Sequence, residues 1–183
     1  ESAVAYAKKK LKLKNIEMLN FQDLKYKKKG SYDVIYSNGV LEHVYDPINF
    51  IKISHELLKK KGLLFLSVAN DFNIFQFLSM QNISKPWWII PPEHINYFRI
   101  NDIKKLFNKK SFKIIDINSS FPIEIFLLMG QNYIKNNHIG KYSHQQRVEF
   151  EKQFENQNLI GLKQKIYEQF SSLGLGRAIE III

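Results

Sequence analysis

Glu42 and His43 follow closely on the turn Ser37-Asn38-Gly39, and a second imidazole, His94, stands further on between Glu93 and Tyr97. Imidazole titrates near neutrality, so His43 and His94 are the two side chains best suited to accept a proton as general base. His43 can equally anchor its turn by a hydrogen bond. His55 falls within a helical pattern and reads as structural or solvent-facing, while His138 and His144 have no partner legible in the sequence. Trp87 and Trp88 are adjacent, and together with Tyr97 they can form either a packed core or the wall of a substrate site. With no cysteine in the chain, disulfides and thiolate-bound metals are excluded, which fits a reducing, cytoplasmic setting.

These groups need a frame to hold them. Tyr32 to Tyr36 is a nearly unbroken run of strand formers, expected as a parallel strand buried on both faces and ending in Ser37, Asn38 and Gly39. In open α/β sheets ligands lie outside the carboxyl ends of strands, so this end is the first place to look for a ligand. Asp46-Pro47 predicts a helix start, with a carboxylate cap and proline in the first turn. Lys59-Lys60-Lys61-Gly62 predicts the helix end, with Gly62 as a left-handed cap. Leu63 to Val68 is then a second strand, ending at Ala69-Asn70-Asp71, and the three elements make a right-handed βαβ unit. The fold class is therefore α/β.

Around this unit the spacing predicts a helix from Glu1 to Leu11 capped by Ser2, a short strand from Asn15 to Leu19, and a loop from Asn20 to Leu24. A helix is expected from Phe72 to Met80, then an irregular insertion from Gln81 to Pro92. Next come a helix from Asn101 to Lys109 capped by Asn101, a strand from Phe112 to Ile117, and an apolar helix within Phe121 to Ile134. Two more helices, His144 to Phe154 and Leu159 to Phe170, precede a terminal strand, Arg177 to Ile183. The chain reads as one domain with a core of 1–80, 93–118 and 174–183, and with insertions or a lid at 81–92 and 119–173.

The 183 residues suffice for one packed core, and the 45% hydrophobic content argues against disorder. The +10 charge comes mostly from lysines spread along the whole chain rather than from an Arg-aromatic module, so nucleic acid is not the expected partner. No apolar run reaches the roughly 20 residues of a membrane span.

In order and spacing, Tyr32-Asp33-Val34-Ile35, Leu41-Glu42-His43-Val44, Asp46-Pro47, His55-Glu56-Leu57-Leu58-Lys59 and Gly62-Leu63-Leu64 resemble the middle of class I S-adenosylmethionine-dependent methyltransferases. The likeness is strongest to small-molecule enzymes such as ubiquinone-biosynthesis O-methyltransferases and those encoded with surface-polysaccharide genes. It extends to Pro92-Glu93-His94-Ile95-Asn96-Tyr97-Phe98 and to Leu175-Gly176-Arg177. The resemblance implies a Rossmann-like sheet, S-adenosylmethionine as cofactor, and a small-molecule acceptor such as a sugar or polysaccharide precursor. By the same resemblance Asn20 and Phe21 lie against the adenine, and Ser37, Asn38 and Gly39 line the methionine and sulfonium end. His94 or His43 removes the acceptor's proton, and Trp87, Trp88 and Tyr97 contact the acceptor.

Two features of that family are not found here. None of the eight glycines forms its Gly-rich first turn, and no acidic residue stands where its second strand ends. The resemblance thus implies an N-terminally truncated fragment lacking roughly 30 residues of a strand-helix-strand unit, inactive alone. Glu42, His43 and His94 could form an oxygen and imidazole metal site, but Gly39 replaces a carboxylate of the ubiquinone-type relatives, so no metal is expected. Two other readings remain: a non-catalytic α/β interaction domain, and a nucleic-acid methyltransferase, which the absence of an Asn/Asp-Pro-Pro-aromatic tetrad disfavours.

Overall fold

The computed structural model describes residues 2–81, 83, 85–108 and 112–183; Glu1 and Lys109, the expected ends of two helices, lie outside them. Eleven elements follow in order: α1 (Ala3–Lys9), β1 (Tyr32–Asn38), α2 (Pro47–Leu57), β2 (Leu58–Ala69), α3 (Ile74–Ser79), α4 (Ile100–Asn108), β3 (Asp116–Ser119), α5 (Glu124–Leu128), α6 (Asn137–Asn156), α7 (Ile160–Ser172) and β4 (Ala178–Ile182), with a 3-10 helix over Phe21–Tyr26. The sheet order is β1-β2-β4-β3. β1 and β2 run parallel through α2, as the βαβ pattern requires, and β4 is antiparallel to both β2 and β3.

Alternation along the strands decides which face is covered. Leu64, Leu66 and Val68 of β2 and Ile179 and Ile181 of β4 are buried, and they pack with Phe50 and Ile51 of α2 and Ile100, Ile103 and Phe107 of α4. Tyr36, Phe65 and Ile182 point the other way, where they line an open cleft of about 480 Å³ with Asp116, Asn118 and Glu180. α7 packs mainly on β3.

β1 is therefore not the doubly buried strand that its apolar run suggests. It forms the sheet edge, and Tyr32, Val34 and Tyr36 are exposed while Ser37 is buried. The hydrophobic run registers a strand's propensity, but burial depends on what lies beside it. Asn15 to Leu19 similarly forms no strand among the described residues, because no ladder partner is there for it; Met18 and Leu19 are exposed.

The helix after Asp46 begins as expected and ends earlier. Asp46 accepts from the backbone N–H groups of Ile48 and Asn49, both at 3.0 Å, with Pro47 in the first turn. Asp46→Ala should therefore cost about 1 kcal/mol of stability, measurable by urea denaturation. α2 stops at Leu57, and Lys59 to Lys61 lie in β2, not at a helix end. Pairing with β1 outweighs the local helix-end pattern, and Lys59 Nζ reaches Asp33 at 2.8 Å. Gly62 is not a left-handed cap. It sits beside a register shift, where a Cβ would stand 3.0 and 3.1 Å from the carbonyl oxygens of Tyr32 and Asp33, so close approach of the two strands accounts for it.

Smaller shifts have similar causes. α3 starts at Ile74, because Asn73 and Gln76 form a reciprocal capping box. Asn101 lies inside α4 instead of capping it; Asp102 takes up the Arg99 N–H at 3.2 Å. β3 begins at Asp116 rather than Phe112, α5 keeps only Glu124 to Leu128 of the apolar segment, and α6 starts at Asn137, capped by Asn136.

Candidate functional site

The carboxyl end of β1 opens into an apolar cleft of about 440 Å³ beside α2. Its walls include Phe21, Ile35, Ser37, Asn38, Val40 and Phe50. Phe21 stacks on Phe50 with ring centroids 4.5 Å apart and so is both core packing and cleft wall. Ser37 is buried with no hydrogen-bond partner for its Oγ among the described residues, so it offers an unused polar group at this end. Asn20 does not line the cleft; it is exposed and precedes the 3-10 helix without a side-chain cap bond. Gly39 ends the strand with φ +62°, a left-handed conformation that favours glycine.

Gly39 also joins this cleft to the second group of candidates. A Cβ at its position would stand 3.9 Å from Glu42 Oε1. Glu42, His43 and His94 bring one ligand-type atom each to within 4.8 Å of one another, and the two imidazoles meet edge to face at 4.8 Å. Three segments build this arrangement. The turn at Leu41–Val44 is tied to 94–96 because the Glu42 carbonyl accepts from Ile95 and Asn96 N–H, and Asn96 Nδ2 returns a bond to the Val44 carbonyl at 2.6 Å. The third segment, 70–72, enters through the Asp71 N–H, which donates to the Phe98 carbonyl at 2.7 Å.

The two histidines differ in what they have free. His43 Nδ1 donates to the Glu93 carbonyl, which supports its anchoring role and fixes that nitrogen as protonated. His94 Nδ1 is buried without a partner among the described residues. Burial pulls the His94 pKa below its ordinary value, with Glu42 pulling the other way, so His94 is neutral and able to accept a proton at pH 7. Tyr97 lies 6.1 Å from the His94 ring, and its hydroxyl accepts from the Ile90 N–H. Trp88 is buried, half-buried Trp87 meets it edge-on at 4.9 Å, and Phe72 packs against both Trp88 and Tyr97. The tryptophans are thus packed in an aromatic cluster with Phe72 and Phe77.

Sequence reasoning missed Asp71, Phe72, Glu124 and Arg177. Asp71 is 1% exposed, and neither carboxylate oxygen has a hydrogen-bond partner among the described residues. Burial raises its pKa to about 6, with nearby Glu42 adding to the rise and Arg177 opposing it. Glu124, fully buried on α5, is also raised by burial; Arg177 Nη1 stands 3.9 Å away. Phe72 follows Asp71 with φ +57°, a strained conformation of the kind found at functional sites. The signal was present: Asp71 stands at the carboxyl end of an apolar strand, and the positional rule applied to β1 applies equally to β2.

Comparison with known proteins places the chain in a family. Residues 3–117 match the family described as methyltransferase domain. The chain is 33% identical over 137 residues to the ubiquinone biosynthesis O-methyltransferase of Pelagibacter ubique (strain HTCC1062), covering 73% of this chain and 51% of that protein. It thus spans about half the length of this curated relative. In fold it is similar to a SAM-dependent methyltransferase from Archaeoglobus fulgidus, with a TM-score of 0.54 at 12% identity, over 95% of this chain and 68% of that one. Among the described residues no helix is long and apolar enough to cross a membrane.

Proposed function

We propose that this chain, which belongs to the methyltransferase domain family, serves S-adenosylmethionine-dependent methyl transfer to a small-molecule acceptor, a sugar or polysaccharide precursor. The observation that carries this reading is the meeting at Gly39 of an apolar cleft with a proton-accepting cluster. The cleft suits a flat, apolar ring: Phe21 would pack against the adenine, and Ser37, Asn38 and Gly39 would border the methionine end. When bound, the cofactor supplies a methyl group activated by a positively charged sulfur. The acceptor's hydroxyl would lie between Gly39 and His94, with Trp87, Trp88 and Tyr97 excluding water and limiting its orientation. His94 would take up the acceptor's hydroxyl proton as that oxygen is methylated.

The wall opposite this cleft is not supplied by any of the eight glycines, so the 183 residues alone should bind cofactor weakly. Calorimetry decides this. A longer chain carrying a Gly-rich strand-helix-strand unit upstream should bind S-adenosylmethionine, whereas the 183 residues should bind it at least about tenfold more weakly. Equal affinity would refute the missing wall. No binding by either would favour an interaction domain, a role to which the exposed edge and bare face of β1 correspond.

The cluster of Glu42, His43 and His94 we read as a proton-handling site without a metal, because Gly39 contributes no second carboxylate beside Glu42. Chelation with EDTA should leave turnover of the longer chain unchanged. Loss on chelation and recovery with magnesium would make the cluster a metal centre.

A further inference from the structure

We propose that a basic cleft at the amino end of the sheet is a second binding site, one that takes a small soluble phosphate ester with an apolar or aromatic group. It lies away from the proton-accepting cluster and stands independently of the methyl-transfer reading. β1 and β2 run parallel, and the cleft opens where Leu58 and Leu63 pair with Tyr32 and Val34, at the end of the sheet opposite Gly39. Between those two pairs β1 advances by two residues and β2 by five, so three extra residues bulge out of the ladder. The segment concerned is Lys59-Lys60-Lys61-Gly62. Bulges re-aim side chains at sheet edges and beside ligand sites, and all three of these lysines line the one cleft.

The cleft measures about 490 Å³, within the range of small-molecule sites. Lys113 and His55 join the three lysines around it, and among the described residues no acidic side chain lines it. Lys59 is matched by both carboxylate oxygens of Asp33 at 2.8 Å, and Glu56, next to His55, is taken by Lys29 at 2.9 Å. Lys60, Lys61 and Lys113 have no ion-pair or hydrogen-bond partner among the described residues. Three unmatched ammonium groups around one concavity favour a multiply charged anion, and lysine holds phosphate as a point charge. The other walls are apolar, among them Leu63, Phe112 and Ile115. Ile115 is 60% exposed, and the Phe112 ring stands edge-on to His55 at 4.9 Å, so open apolar surface adjoins the cations. A phosphate ester matches both halves, its phosphoryl group meeting the lysines and its organic group meeting Phe112 and Ile115.

Titration of the 183-residue chain with phenyl phosphate, followed by NMR at the amide signals of residues 59–63 and 113–115, tests this without S-adenosylmethionine. The shifts should saturate, and phenyl phosphate should bind about fivefold more tightly than inorganic phosphate, because its ring gains the apolar wall. Lys60→Gln, Lys61→Gln and Lys113→Gln together should weaken binding at least about tenfold, whereas Lys60→Arg, Lys61→Arg and Lys113→Arg together should retain it. Removing the same charge elsewhere, with Lys10→Gln, Lys12→Gln and Lys14→Gln, should leave affinity within about twofold. All six of these lysines are exposed, so the fold tolerates the changes. An equal loss in both glutamine variants would reduce the effect to net charge and overturn the proposal, as would shifts that never saturate. Binding to vesicles of phosphatidylcholine and phosphatidylglycerol but not to phenyl phosphate would overturn it too, in favour of a lipid surface.

Discussion

Replacing His94 with glutamine should lower turnover of the cofactor-binding longer chain by about 10²-fold to 10⁴-fold, the range general-base catalysis supplies. That corresponds to about 3 to 5 kcal/mol of transition-state stabilisation. Glutamine keeps a polar side chain of similar reach but cannot take up a proton. Cofactor affinity, measured by calorimetry, should stay nearly constant, because the cleft is walled by Phe21, Ser37 and Asn38 rather than by His94. An unchanged rate would remove His94 as base. The pH profile adds a second check. Burial lowers the His94 pKa, so activity should rise through a midpoint below the ordinary imidazole value and be flat at neutral pH. His43→Gln should act differently. Its Nδ1 is committed to the Glu93 carbonyl, so the loss should fall mainly on stability, at about 1 kcal/mol.

Asp71→Asn should stabilise the fold at pH 8 by about 3 kcal/mol. The pKa of Asp71 rises from 3.8 to about 6 on folding, a shift of roughly two units at 1.4 kcal/mol each. With a folded pKa above the unfolded one, the favourable state of this carboxyl is fully present below about pH 4. Its contribution is lost as pH rises through 6. The advantage of the asparagine variant should therefore be near zero at pH 3, grow between pH 4 and 6, and stay constant above. Urea denaturation at several pH values measures it. A variant less stable at every pH would mean that the carboxylate is a structural anchor. Greater stability that grows between pH 4 and 6 is the pattern of a carboxylate buried at a cost in stability.

How much of this was legible beforehand can be argued from particular residues. The β1–α2–β2 unit was legible because Asp46 and Pro47 act within their own turn and because Leu63 to Val68 is a largely apolar run of strand length. The proximity of Glu42 and His43 followed from their adjacency, and the resemblance brought His94 into the same set. The helix end was misread, since Lys59 to Gly62 satisfy a helix-end pattern locally but gain more by pairing with β1. Asn20 was placed at the adenine by resemblance alone and stands outside the cleft.

Asp71 was passed over although it ends a strand as plainly as Ser37 does. Its sequence neighbours, Asn70 and Phe72, do not disclose that Glu42, Arg177 and Glu124 act on its charge. Those partners lie far apart in sequence and meet only when the sheet closes.

By itself the amino-acid sequence determined the α/β class, the parallel pair and the residue types available for proton transfer, because these depend on periodicity and on contacts within one turn. Tertiary structure alone decided which face of β1 is covered, which histidine keeps an unpartnered nitrogen, and that Asp71 is buried. Burial and electrostatics are sums over neighbours that the chain order does not specify. The stretch from Ser37 to His43 supplies part of the site, and the segments at Asp71 and His94 bring the rest to it.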